Sequence, residues 1–349
     1  MQVGIQFFPD IGPEVQSARD YWQDSLKLVG LVDRYSYHHV RTVEHYFLPY
    51  GGYSPNPAIF LSAAAQITKR ARLITGAVLP AFNNPLKIAG DMGMLDALCD
   101  GRLDVGFARA FLPHEFKHFG VKLDESRARF DEGVEQVRRL LEEENVTSEG
   151  RFHSFANVTS LPRPTQLPRP PFFIAALATK ESFERAGAAG YGIMAIPMGG
   201  GAMKDLLDAY RQARARAGHD GPGTIMLAFH MLCHQDQQQA EEIARGPIDR
   251  YLKSLVAAAS DWTTGAASAD YPGYDKVIEG LSRENFDTQV AKCAAWVGTP
   301  ERILDTIGSY RRQVGDFEIA SLQVNFNDVP LADAMASMRL FGEKVLPRV

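Results

Sequence analysis

The stretch Gln2-Val-Gly-Ile-Gln-Phe-Phe8 runs directly into Pro9-Asp-Ile-Gly-Pro13, and this junction separates two architectures. A short, mostly apolar run closed by Pro and Gly reads as a buried strand. In a doubly wound dinucleotide-binding sheet the first strand-to-helix turn carries GxGxxG, whose glycines let a pyrophosphate approach a helix N-terminus. Phe7-Phe-Pro-Asp-Ile-Gly-Pro13 lacks that spacing. The doubly wound sheet therefore ranks behind a closed barrel.

Outward from this junction the same unit recurs. Apolar runs at 40–46, 71–79, 103–108, 172–176, 192–197, 225–233 and 320–326 alternate with amphipathic segments, the pattern of a parallel sheet with helical crossovers. The clearest helix spans 124–144, with Phe130, Val134, Val137, Leu140 and Leu141 on one face; 331–346 repeats its pattern. Eight such strands close without exposed edges, so the predicted fold is a (β/α)8 TIM barrel in one domain, 1–349. Two excursions interrupt it. Residues 151–171 hold Pro162, Pro164, Pro168, Pro170 and Pro171 and cannot continue a helix. Residues 260–282, rich in small side chains and weakly periodic, read as a lid over the site or as surface padding.

Composition narrows the function. There are 37 Lys and Arg against 42 Asp and Glu, a net charge of −5, with no basic block, which argues against nucleic acid or anionic lipid as partner. Cys99, Cys233 and Cys293 are widely spaced and odd in number, so neither a disulfide framework nor a cysteine zinc site is indicated, and a reducing compartment fits. The start, Met1-Gln-Val-Gly-Ile, is unlike a signal peptide, and no run of about 18 apolar residues occurs; the expectation is a soluble cytoplasmic protein.

In such a barrel the reacting groups stand where strands end. The second strand runs into Glu44-His45-Tyr46-Phe47, with His45 a candidate general base and Glu44 expected on the other side of the strand. Arg109 follows the fourth strand, where its fork suits a phosphate or carboxylate. Thr179 and Ser182, at the expected start of a helix, suit an anion or an ordinary N-cap. His114-Glu115-Phe116-Lys117-His118 satisfies HExxH, but Pro113 before it and Gly120 after it leave little helix on either side. The zinc reading is set aside as coincidence, and no metal is expected.

Several segments in order then carry a resemblance. Glu44-His45-Tyr46-Phe47 resembles the EHHF segment of the bacterial luciferase family, the flavin-dependent luciferase-like monooxygenases. Gly76-Ala-Val-Leu-Pro80 with Asn84-Pro85, Leu95-Asp-Ala-Leu-Cys-Asp-Gly-Arg-Leu-Asp-Val-Gly106, Val297-Gly-Thr-Pro300 and the ending from Ala336 to Pro347 are similar to further family segments. The resemblance implies a barrel binding reduced FMN (FMNH2) at its C-terminal mouth, with the phosphate on Arg109, Thr179 and Ser182. It also implies a non-proline cis peptide at Gly76-Ala77 beneath the flavin, and His45 as the catalytic histidine. Ala108 stands where the luciferase cysteine is expected and Ala178 where an acidic residue is, so light emission is not implied.

The activity implied is oxygenation of a small organic substrate by O2 through a C4a-peroxyflavin. A separate flavin reductase supplies FMNH2, because the chain has no nicotinamide fingerprint of its own. Phe7, Phe8, Phe82, Ala110, Phe111 and Met194 are expected near the pocket. A homodimer is implied through the helices flanking the early strands, with Ile59-Phe60-Leu61 and 88–98 as the candidate face. Two alternatives remain: an oxidoreductase using the deazaflavin F420 on the same fold, and a non-catalytic flavin-binding subunit.

Overall fold

The computed structural model describes residues 1–349. Its strands, in chain order, are β1 (Gln2–Phe7), β2 (His39–Thr42), β3 (Arg72–Thr75), β4 (Leu103–Ala108), β5 (Val146–Glu149), β6 (Ser154–Val158), β7 (Phe172–Ala175), β8 (Gly192–Ala195), β9 (Ile225–Cys233), β10 (Ala295–Gly298) and β11 (Ile319–Gln323). The parallel order β9-β11-β1-β2-β3-β4-β7-β8 returns to β9, so eight strands close into a (β/α)8 barrel. The seam between chain ends is a full parallel ladder, from Gln2 opposite Ile319 to Gln6 opposite Gln323.

Local chemistry sets where the crossover helices begin. Pro57–Ile67, Pro85–Leu98 and Pro300–Val314 each start with proline, whose missing N–H is no loss in a first turn. The preceding Asn56, Asn84 and Thr299 cap them, each side-chain oxygen accepting a backbone N–H of the first turn. The helix expected at 124–144 is Ser126–Glu142 behind a single 3-10 turn, Leu123–Glu125.

All eight expected barrel strands are present, and several are shorter than their apolar runs. Beyond Thr42 the backbone leaves the ladder: the His45 N–H donates to Ser54 O at 3.1 Å and the Tyr46 N–H to Glu115 Oε1 at 2.9 Å. This frees 43–46 to line a cavity instead of a sheet. The excursion at 151–171 opens with β6, which pairs antiparallel with β5 ahead of it, a hairpin that apolar patterning did not reveal because its strands are largely polar and exposed. A further parallel strand, β10, overlaps Val297-Gly-Thr-Pro300, which the sequence offers only as a family-like segment. β8 registers no further up β9 than Leu227, and β10 pairs with His230 to Cys233 above it. Residues 260–282 hold two short helices, Asp261–Thr264 and Tyr274–Leu281, that bury Trp262, Tyr274 and Ile278, and Tyr271 between them is buried as well. No helix is long and apolar enough to cross a membrane.

Candidate active site

The nine residues singled out from the sequence, Glu44, His45, Gly76, Ala77, Ala108, Arg109, Ala178, Thr179 and Ser182, all line one cavity of about 450 Å³. It opens where the strands end: these residues sit at or beyond the last ladder position of β2, β3, β4 or β7, with Ser182 in the first turn of helix Lys180–Ala188. Phe8, Ala110, Phe111 and Met194 line it as expected, whereas Phe7 and Phe82 do not. The Gly76-Ala77 peptide is cis.

One wall is an acid–imidazole cluster. His45 Nδ1 lies 3.0 Å from Glu115 Oε1, and that same oxygen accepts the Tyr46 N–H. Glu115 is fully buried, and its Oε2 has no partner. Glu44 was expected to face away from His45, but the ladder has ended before both, so strand alternation no longer applies and both reach the cavity. The Glu44 carboxylate accepts from Tyr46 Oη at 2.5 Å, Asn83 Nδ2 at 2.7 Å and the Leu79 N–H at 3.1 Å. Burial outweighs these donors and, with Glu115 nearby, pushes the Glu44 carboxyl up to about 7.

The opposite end is cationic. Thr179 occupies the N-cap of helix Lys180–Ala188 without capping it; its hydroxyl lies 2.7 Å from that of Ser182 instead. Arg109 and Ser182 also line an adjoining recess of about 240 Å³, together with Arg127 and Arg185. Burial and the charges of Arg109 and Arg185 push the Arg127 guanidinium down from its ordinary value. Three guanidinium groups and the Ser182 hydroxyl line this recess together with Asp131 and Glu135; Arg185 pairs with Asp131 and Arg127 with Glu181, and Thr179 joins the recess through Ser182. These donors suit a phosphate dianion.

Residues 260–282 roof the space between these ends. Tyr271 Oη donates to Ala110 O at 2.8 Å and Trp262 Nε1 to Phe111 O at 2.7 Å, pinning the segment to the turn after β4. Arg109 donates to Asp270 O at 2.5 Å and stacks on the Tyr271 ring at 4.1 Å, so it serves both roof and recess. Tyr274, Val277 and Leu281 face the cavity.

A family model described as luciferase-like monooxygenase matches residues 1–316. The chain belongs to the luciferase-like monooxygenase family. Among solved members, the monooxygenase RslO1 from Streptomyces bottropensis is similar over 99% of both chains at 43% identity, with a TM-score of 0.89. An uncharacterized protein of Sinorhizobium fredii is 35% identical over 158 residues, 45% of this chain and 46% of its own. The oxygenase component of the flavin-dependent trigonelline monooxygenase of Acinetobacter baylyi is 28% identical over 233 residues, 66% of this chain and 64% of its own. The chain thus spans about half to two thirds of the length of these two curated relatives.

Within this luciferase-like chain, residues missed by sequence reasoning line the cavity, as Arg41 does, line its recess, as Arg127 does, or hold one of its walls, as Glu115 does through His45. The HEFKH segment forms a helix of six residues, Pro113–His118. Its Glu115 reaches His45, its His114 Nε2 lies 3.3 Å from Tyr46 O, and its His118 ring packs on Phe47. The side chains of the zinc pattern therefore face different partners. Arg127 was hidden among the charges of a solvated helix face. Arg41 carried a visible signal, a charge inside an apolar run, that was not followed.

Proposed function

We propose that this chain is the oxygenase of a two-component system that takes FMNH2 from a separate flavin reductase and uses O2 to oxygenate a small organic substrate. The observation that carries this reading is a cavity with phosphate-type donors at one end and a buried imidazole–carboxylate pair at the other. Its volume falls within the range typical of ligand pockets, roughly 300–1,000 Å³. The residues fit FMN: Arg109, Arg127, Arg185, Thr179 and Ser182 would hold the phosphate, and the Gly76-Ala77 peptide would face the ring. Bound FMNH2 supplies the electrons and the centre at which O2 is activated.

The chain's own part is binding, proton handling and exclusion of water. With Glu115 ionised, His45 donates from Nδ1 to it, which leaves Nε2 to take or give a proton at the reacting group. The roof, held by Trp262 and Tyr271, keeps water from the reduced cofactor. Ala108 and Ala178 leave room at the flavin's edge without a thiol or a second acid. The reading includes one folding unit over 1–349, a cytoplasmic location, and a homodimer formed through helices Pro57–Ile67 and Pro85–Leu98, which leave Ile59 and Met94 exposed at 71% and 57%.

Anaerobic titration with FMNH2 and, separately, with reduced F420, followed by an oxygen pulse, tests the proposal. Saturable FMNH2 binding and oxygen consumption that yields oxygenated product from an added substrate panel are expected. Tight F420 binding without oxygen consumption would replace the reading with hydride transfer. Binding of neither cofactor would favour a non-catalytic subunit.

A further inference from the structure

The lumen wall formed by β9, β11, β1 and β2 differs from the rest of the barrel. Arg41 registers with Gln6, Gln6 with Gln323, and Gln323 with His230, so four neighbouring strands place a hydrogen-bonding side chain at one level. All four line the main cavity. Barrel lumens of this type are filled mainly by branched apolar side chains, and a buried polar row costs stability wherever its groups lack partners; Gln323 Nε2 donates to Phe8 O at 3.2 Å, whereas Arg41 Nε and His230 Nε2 have none.

Arg41 ends the row on β2 and carries its only charge. It is buried, with Nη1 donating to Gln6 Oε1 and Nη2 to Gly76 O at 3.0 Å, and no carboxylate bonds it. One hydrogen on each terminal nitrogen is left over. The two carboxylates that reach the cavity are engaged elsewhere, Glu44 with Tyr46 and Asn83, Glu284 with Lys292. Burial lowers the Arg41 guanidinium to about 10, so it remains a cation at neutral pH. At the other end of the row, His230 Nε2 is buried without a partner, and burial holds that imidazole neutral. The position is shaped for arginine: Gly76 packs on it, and a Cβ there would overlap the Arg41 Nε. A buried cation with no counter-ion is unfavourable unless an anion arrives to pair with it.

We propose that Arg41, with Gln6 bonded to it and Gln323 and His230 completing the row, seats the carboxylate of an organic substrate whose apolar body lies toward Ala108, Ala175 and Met194 across the cavity. This rests on the monooxygenase reading for the identity of the guest as substrate. The flavin phosphate has its own cations in the recess, of which Arg41 is not one. The competing role for Arg41 is structural support of the Gly76 carbonyl. Arg41→Gln separates the two, because glutamine keeps an amide donor for that carbonyl and removes the charge.

The test is anaerobic equilibrium binding of 2-naphthoate and its neutral counterpart 2-naphthamide, with and without FMNH2, to the wild-type chain and to Arg41→Gln. The wild-type chain should prefer naphthoate by about 30-fold, the range of a charge-assisted hydrogen bond. Arg41→Gln should reduce that preference to less than about 3-fold while FMNH2 affinity changes by less than about 3-fold. Equal binding of both probes by the wild-type chain, or a preference that survives Arg41→Gln, overturns the proposal. So does parallel loss of naphthoate and FMNH2 binding, which assigns Arg41 to the flavin or the backbone. If Arg41→Gln fails to fold, His230→Phe must lower the preference with FMNH2 binding retained, and an unchanged preference there overturns the seat. FMNH2 binding without a naphthoate preference defeats the seat alone; a naphthoate preference without FMNH2 binding defeats the flavin reading alone.

Discussion

Glu44 and Glu115 flank Tyr46, one accepting from its hydroxyl and the other from its backbone N–H. Glu44 has a carboxyl pushed from 4.5 to about 7 by burial. The native state therefore keeps its proton over a range where the unfolded chain has released it, and stability falls as pH rises from about 4.5 to about 7. Glu44→Gln removes that dependence. Denaturant melts should show the variant gaining on the wild-type chain by up to about 3 kcal/mol between pH 4.5 and 8, on top of a pH-independent offset. Glu115 orients His45, so Glu115→Gln and His45→Ala should both lower product formed per FMNH2 consumed by about 10²-fold or more while shifting FMNH2 affinity less than about 3-fold. Arg109→Ala should do the reverse and weaken FMNH2 binding about 10-fold or more, read by anaerobic titration. Equal effects of the His45 and Arg109 substitutions on both quantities would count against these roles. His45 and Arg109 were legible because one stands at the end of an apolar run and the other directly after one. Glu115 was not, since its contact with His45 spans 70 residues and its own neighbours spell a metal motif. Arg127 was hidden because a helix face rich in Arg and Glu reads as solvated.

At the scale of elements, strand order follows from apolar runs that need burial on both faces, and the sequence carries that signal strongly. β5, β6 and β10 escaped for separate reasons. The hairpin is too polar to show a core pattern, and β10 is a four-residue run whose partner is the overhanging end of β9. The segment 260–282 could be read as lid or padding because its small residues carry no period. Its aromatic residues tie it to the mouth of the barrel, since Trp262 and Tyr271 donate to the backbone of the turn after β4. Tyr271→Phe leaves the buried Ala110 carbonyl without that donor. It should destabilise the chain by about 1–2 kcal/mol and raise hydrogen peroxide released per FMNH2, measured by coupled peroxidase assay. Unchanged peroxide release in a measurably destabilised variant would reduce the segment to a structural cover.

For the whole molecule, barrel closure was legible from the count of strands and the missing glycine fingerprint, whereas assembly rests on the exposed apolar side chains of helices Pro57–Ile67 and Pro85–Leu98. Sedimentation velocity should give a dimer for the wild-type chain and a monomer for the double substitution Ile59→Glu and Met94→Glu, with the far-ultraviolet circular dichroism unchanged. A monomeric wild-type chain would remove the homodimer from the reading. The division of the lumen has its own outcome. Arg41, Gln6, Gln323 and His230 occupy one side, and Ala108, Ala175 and Met194 the other. An enclosure so divided has no mirror plane. A flat guest anchored at one edge shows the oxidant a single prochiral face, and the enantiomeric excess of its product becomes a record of how firmly that edge is held.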